Sequence, residues 1–344
     1  MSCNLRMRYR LFLFFSLILA ASTVLAQDIT GGGSLVRDIT GGAALIFRAP
    51  QNPTVQLPSG GATGGGRVRG GSRKPPVRRE DSIIARANAA RSAANPRYAE
   101  AEEQYRLAAQ IAPDDARAFA GLGNVYVDQG RFAEAVDAYQ KALKIKPDYN
   151  GAFLPLAFSL ARLNRFPEAI DLYQETLKRD DTSPEVYNNL SFAYNHSGRY
   201  QEAVDASLQA IKLLGQDGEA YKMGFQERNE IRSYAYKNLG NAYNGLKRYE
   251  EAASVLKKAS EIEPKNASAH FNLGLTLYNA GRYSEAIESY KEVIKLRPKL
   301  PQVYFNLGLT YYAINDKAAA MAQYETLKTL DAEMAQQLYN HIKQ

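Results

Sequence analysis

From about Asp81 to the C-terminus, apolar residues recur every three or four positions in short runs separated by polar turns. That period marks the buried face of a helix, and the run lengths predict short helices joined in pairs. Several turns hold glycine, as in Gln129-Gly130-Arg131, Ser197-Gly198-Arg199 and Ala280-Gly281-Arg282. Glycine adopts at little cost the left-handed conformation that ends a helix, and proline at the close of a pair forbids helix continuation. The closing positions Pro113, Pro147, Asp181, Gly215, Pro264, Pro298 and Ala332 lie 34 residues apart, except for one interval of 49. The pattern therefore predicts seven hairpins, about fourteen helices, and a 15-residue insertion covering roughly 216–232. Helix-forming residues dominate the insertion. They are expected to lengthen the helix that starts near Ser233 by about four turns, a surface loop being the alternative.

One copy of the pattern reads Phe119, Leu122, Gly123, Tyr126, Ala135, Tyr139, Ala142, Pro147. Others read Tyr236, Leu239, Gly240, Tyr243, Ala252, Leu256, Ala259, Pro264, and His270, Leu273, Gly274, Leu277, Ala286, Tyr290, Val293, Pro298, and Tyr304, Leu307, Gly308, Tyr311, Ala320, Tyr324. This spacing resembles the tetratricopeptide repeat. The resemblance implies an all-α, right-handed superhelical solenoid of about seven helix-turn-helix units over residues 81–331, elongated because each unit contacts mainly its neighbours. The small residues Gly123, Gly240, Gly274 and Gly308 on first helices and Ala135, Ala203, Ala252 and Ala286 on second helices leave room for close approach. The unit from about Ser82 to Pro113 keeps Ala101, Tyr105 and Ala108 but has Asn88 and Ser92 where apolar residues belong, as a cap would. Residues 332–344 place Met334, Leu338 and Ile342 on one face, suited to covering the last hairpin.

Charge separates the chain into parts. The formal net charge of +7 resides before residue 80, where Arg6, Arg8 and Arg10 precede an apolar run and eight further basic residues face only Asp28 and Asp38. The array itself is slightly acidic. Arg6, Arg8 and Arg10, the apolar run Leu11 to Leu25 and the closing Val24-Leu25-Ala26 have the three-part form of a secretory signal peptide cleaved after Ala26. A secreted or periplasmic protein is expected, with a membrane anchor by an uncleaved segment as the alternative. After cleavage no stable membrane insertion is expected, and Cys3, the one cysteine, leaves with the peptide. Residues 27–80, rich in Gly, Pro and Arg, have too few apolar groups to offset chain ordering and are expected to be disordered. Their basicity suits weak contact with an anionic surface.

No catalytic constellation emerges: there is no phosphate loop after a strand, no His-Glu-x-x-His and no Gly-x-Ser-x-Gly. No enzyme activity, cofactor, metal or nucleic-acid partner is expected. His270 occupies an apolar anchor position and reads as packing, while His196 and His341 read as solvated. Glu134, Glu168, Glu202, Glu251 and Glu285 recur one residue before the repeat's alanine, which points to a solvated face or hairpin polarity. Asn189, Asn195 and Asn266 open Asn-x-Ser triplets that matter only in a eukaryotic secretory host.

The informative set is Asn189, Asn238, Asn272 and Asn306 at the sixth place of four consecutive units. They resemble the groove-facing asparagine ladder of O-GlcNAc transferase repeats, without any glycosyltransferase domain following. An amide both donates and accepts, matching a peptide backbone, and each hairpin advances a groove by roughly three to six extended residues. Lys237, Asn241 and Asn272 also match three positions of the carboxylate clamp of some chaperone-binding repeats, whereas Gln302 and Asn306 replace that clamp's basic residues. Phe158, Phe192, Phe271, Leu275, Phe305 and Leu309 are candidates for apolar pockets beside the ladder. The expected function is a non-enzymatic scaffold binding an extended peptide or protein segment in its concave groove, in envelope assembly. The alternatives are a recruiting or regulatory subunit of an enzyme complex, and a structural surface protein whose basic tail holds anionic polymer.

Overall fold

The computed structural model describes residues 78–215 and 225–343; the predicted leader, most of the basic segment and the first part of the insertion lie outside them. The described chain is all-α and falls into two compact units, divided between Ser197 and Gly198. The first contains α1 (Arg79–Arg91), α2 (Tyr98–Ile111), α3 (Ala116–Asp128), α4 (Phe132–Ile145), α5 (Asn150–Arg162), α6 (Phe166–Arg179) and α7 (Pro184–His196). The second contains α8 (Tyr200–Gly215), α9 (Phe225–Gly245), α10 (Tyr249–Ile262), α11 (Ala267–Asn279), α12 (Tyr283–Leu296), α13 (Pro301–Ala313), α14 (Lys317–Leu330) and α15 (Ala332–Lys343). Within each unit consecutive helices pack against one another, and the first helices of successive hairpins also touch: α1 with α3, α3 with α5, α5 with α7, then α9 with α11 and α11 with α13.

One hairpin shows how the sequence makes the repeat. Helix α3 starts at Asp115, whose carboxylate accepts from Arg117 N–H at 2.9 Å, filling one of the donors left open at a helix start. Two residues past its end stands Gly130, where φ is 74°, and Arg131 N–H reaches back to Tyr126 C=O at 2.8 Å, which closes the last turn as a left-handed cap does. The same turn recurs with Gly198, Gly281, Asn164, Lys247 and Asn315 in the left-handed conformation. Lysine has a Cβ that clashes there, so the turn at Lys247 is held against a local penalty.

The residue after each turn is usually arginine, and it explains the recurring glutamates. Arg131 precedes α4 without capping it by side chain, and instead its guanidinium pairs with Glu134 one turn ahead. Arg165 and Glu168 at 2.6 Å, Arg199 and Glu202 at 2.9 Å, and Arg282 and Glu285 at 2.7 Å repeat the arrangement, as do Arg248 and Glu251. These exposed pairs are worth ~0–1 kcal/mol each. Arg131 also joins hairpins by bonding Glu102 at 2.8 Å, as Arg282 does with Glu250 at 2.8 Å.

Packing inside each hairpin uses the small residues. A Cβ on Gly123 would lie 2.6 Å from the Tyr139 ring, one on Gly240 2.4 Å from Leu256, and one on Gly274 2.7 Å from Tyr290. At Gly308 the close neighbour is Leu338 of α15, so the last helix fills the final hairpin, and Leu338 and Ile342 are buried as its apolar face predicts. At the other end Tyr105 OH donates to Asn88, which gives the residue that breaks the apolar pattern a structural use. Tyr139 OH donates likewise to Asn124 Oδ1 at 2.8 Å.

The described part of the insertion lengthens α9. Residues 225–232 are helical and extend α9 to 21 residues, against 13 in α11 and α13, an addition of about two turns. It is anchored: Ile231 is buried, Arg232 Nη2 donates to Leu214 C=O at 2.9 Å, and Ser233 Oγ donates to Ala259 C=O at 3.3 Å.

The tyrosine of the next hairpin, Tyr173, is fully buried with no partner for its hydroxyl, because the place of Asn124 is taken by Phe158. Burying a hydroxyl without a partner costs ~1–3 kcal/mol. Tyr173→Phe should therefore leave the melting temperature unchanged or raise it. Tyr139→Phe strands the Asn124 carbonyl and should lower stability by about 1–3 kcal/mol. Thermal melts followed by circular dichroism compare the two.

Candidate functional site

The first helices carry every residue of the expected ladder, and each compact unit holds its own part. In the first unit Asn189 lies on α7 and is fully buried. In the second, Lys237, Asn238 and Asn241 lie on α9, Asn272 on α11 and Asn306 on α13. Lys237 and Asn238 are buried, while Asn241, Asn272 and Asn306 are half-buried.

Three polar contacts join α9 to α11 along one face. Lys237 Nζ donates to Ser268 Oγ at 3.2 Å, Asn272 Nδ2 to Asn241 Oδ1 at 3.1 Å, and Asn244 Nδ2 to Thr276 Oγ1 at 2.7 Å. Residues 237, 241 and 244 are one stripe of a helix, as are 268, 272 and 276. Asn244, Ser268 and Thr276 were absent from the expected site, although the helical step from Lys237 and Asn241 leads to Asn244. Lys237 Nζ also stands 4.8 Å from the centre of the Tyr234 ring, within range of a cation–π contact. Asn306 behaves differently from Asn272: its Nδ2 turns back to Gln302 C=O on its own helix at 2.8 Å.

Two amide oxygens on this face, Asn244 Oδ1 and Gln302 Oε1, are buried without a hydrogen-bond partner. A buried acceptor left unpaired is costly, and a passing backbone N–H is the type of group that would satisfy it. The stripe thus carries amide, ammonium and hydroxyl groups that donate and accept hydrogen bonds between first helices. Among the described residues no group of His, Cys, Asp and Glu could hold a metal ion, and no helix is long and apolar enough to cross a membrane.

The apolar residues expected to form pockets are largely spent on packing. Phe158 meets Phe132 edge-on with ring centres 6.0 Å apart, Phe192 meets Phe166 at 6.2 Å, and Phe271 meets Tyr290 at 5.9 Å. Leu309 is buried in the core of the second unit. Leu275 and Phe305 are half-buried. Of the Asn-x-Ser triplets, Asn189 is buried, and Asn266 serves as the cap of α11, accepting from Ser268 N–H at 3.1 Å and Ala269 N–H at 3.3 Å.

The histidines divide similarly. His270 bonds through Nε2 to Pro264 C=O at 3.0 Å, and one repeat later Tyr304 OH donates to Pro298 C=O at 2.8 Å. Both tie a first helix to the proline that precedes it. His196 keeps an exposed edge, but its ring stacks 5.0 Å from Phe166 and 4.3 Å from Phe192. That crowding pushes its pKa down to about 4, because the charged form is desolvated.

The described chain is thus an all-helical repeat protein with a polar stripe on its first helices. Spans 116–149, 154–218 and 301–334 match models described as tetratricopeptide repeat, and 240–281 and 276–315 match one described as TPR repeat. The chain belongs to the tetratricopeptide-repeat proteins. No curated protein matches its sequence. A tetratricopeptide-repeat protein from Parabacteroides merdae superposes with a TM-score of 0.57 at 14% identity, over 77% of this chain and 99% of its own. PilF of Pseudomonas aeruginosa does so with a TM-score of 0.52 at 22% identity, over 67% and 98%. The APC/C Cut9–Hcn1 hetero-tetramer gives 0.55 at 16% identity, over 78% and 50%. At such identities the likeness is one of fold.

Two expectations follow from the geometry. In a double-mutant cycle, Asn241→Ala and Asn272→Ala should each lower stability and couple by about 0.5–1.5 kcal/mol; urea melts measure the coupling, and additive losses would disprove the contact. For His196, the unfolded chain takes up a proton near pH 6.5 while the folded chain resists until about 4. Stability therefore falls as pH drops through that window, and the fall in melting temperature between pH 7 and 5 should be shallower in His196→Gln.

Proposed function

We propose that this chain is a non-enzymatic scaffold whose first-helix face holds an extended peptide segment of a protein partner. The observation that carries the reading is the pair of buried, unpartnered acceptors, Asn244 Oδ1 and Gln302 Oε1, set along the amide-bearing stripe of α9, α11 and α13. Tetratricopeptide repeats as a class bind protein or peptide partners, and the similar Cut9 stands in an assembly with Hcn1. In the second unit Asn238, Asn272 and Asn306 remain the proposed backbone contacts, with Lys237 and Asn241 beside them, and in the first unit Asn189 is proposed by itself. Asn241 and Asn272 then have a double role, since they also clasp α9 to α11.

The N-terminal pattern of Arg6, Arg8 and Arg10, the apolar run and Ala26 supports work in the periplasm or outside the cell, and hence assembly of envelope structures. A handful of neutral hydrogen bonds at ~0.5–1.5 kcal/mol each, less the ordering of a flexible peptide, supports weak affinity for one short segment.

The test is selection of randomised peptides of about 12 residues, a length that spans three first helices at ~8–10 Å spacing, on the full chain. Gln302→Leu together with Asn306→Ala should weaken selected peptides about tenfold, measured by fluorescence anisotropy, with the melting temperature nearly unchanged. Failure to select any peptide, or equal affinity for the variant, refutes the reading.

A further inference from the structure

Helix α5 starts less securely than other first helices, and an Asn-Gly pair stands at that start. Helices α3, α7 and α11 begin behind Asp115, Ser183 and Asn266, whose side chains accept from backbone N–H groups of the first turn. Helix α5 begins behind Tyr149, which makes no side-chain cap. Pro155 lies inside the same helix, and it has no N–H for the Gly151 carbonyl, the acceptor that the helical pattern assigns to it. Glycine at 151 adds a further cost to holding helical backbone there. A first turn without a cap and short of one internal bond opens at small free energy.

The groups at this start are reactive toward each other. Asn150, the first residue of α5, is exposed, and Arg179 Nη1 of α6 donates to its Oδ1 at 2.7 Å. A guanidinium on a carbonyl oxygen draws charge from the carbon and favours the oxyanion formed by attack on it. The Gly151 N–H is among the donors at a helix start that no carbonyl of the helix takes, and glycine leaves its nitrogen unhindered by a Cβ. The chain has a second such pair, Asn244-Gly245, in the opposite setting. It closes α9, where the Gly245 N–H falls within the helical ladder. Asn244 Nδ2 is held by Thr276 Oγ1 at 2.7 Å, and a Cβ on Gly245 would lie 2.4 Å from the Tyr200 ring.

We propose that Asn150 is a self-modification site, at which the folded chain converts its own side-chain amide to a carboxylate. When the first turn of α5 opens, the Gly151 nitrogen gives its proton to hydroxide and attacks Asn150 Cγ. The new C–N bond closes a succinimide ring, the Cγ–Nδ2 bond breaks, and Nδ2 takes up a proton and leaves as ammonia. Water then opens the ring at either carbonyl, giving aspartate or isoaspartate at position 150. The aspartate product is favoured in place, because it meets the Arg179 guanidinium and the positive end of the α5 dipole. The isoaspartate product lengthens the main chain by a methylene, which breaks the helical ladder at the first turn.

The test incubates the full chain at mildly alkaline pH and follows both Asn-Gly pairs by peptide mapping with mass spectrometry and an isoaspartyl assay. In the folded chain Asn150 should convert about tenfold or more faster than Asn244, and the two rates should converge in urea, where neither helix protects its pair. The rate at Asn150 should rise with pH, since the attacking nitrogen must lose its proton. Gly151→Ala, which adds a Cβ beside the nucleophile and favours helix, should slow Asn150 about tenfold. Arg179→Gln should slow it about threefold, the effect of one exposed charge-assisted hydrogen bond. Rates are compared between chains of equal helicity by circular dichroism. Equal rates at Asn150 and Asn244 in the folded chain, or a rate at Asn150 that Gly151→Ala leaves unchanged, overturns the proposal. A rate that Arg179→Gln does not lower overturns the part given to Arg179.

Discussion

The close approach of two helices at a residue without a side chain governs the whole array. At Gly123, Gly240 and Gly274 the facing ring or leucine occupies the space a Cβ would need. A bulkier residue would force the hairpin apart or push Tyr139, Leu256 or Tyr290 from its well. That distance fixes where the first helices fall, and their spacing fixes which side chains can meet across them. Asn241 reaches Asn272 because the two hairpins stand this close.

The turns impose a second constraint. Six of the described hairpin turns hold one residue in the left-handed conformation, and Gly, Asn and Lys all fill it. The arginine that follows then pairs with the glutamate one turn ahead, so a single five-residue pattern ends one helix and starts the next. The weak ion pairs add little energy apiece. Bridges such as Arg131 to Glu102 and Arg282 to Glu250 join neighbouring hairpins.

On the functional face the same side chains serve packing and recognition. An asparagine in contact with another asparagine is half used by its neighbour, which leaves fewer groups for a partner than its place in the repeat suggests. Acceptors with no neighbour, at Asn244 and Gln302, are the more informative ones.

The helix hairpins, their interval, the small residues at the crossings and the site of the insertion were legible along the chain, because each follows from local periodicity and turn chemistry. The same periodicity also places Lys237, Asn238, Asn241, Asn272 and Asn306 on first helices of consecutive repeats. What those residues touch was set by packing between helices. Phe158 and Phe192 could have faced a groove, but their partners Phe132 and Phe166 lie 26 residues away on preceding helices, and nothing in the helical period reveals that. The stacking of His196 and the pairing of Asn244 with Thr276 have the same origin. Each depends on a distance between hairpins, which packing sets and local sequence does not encode.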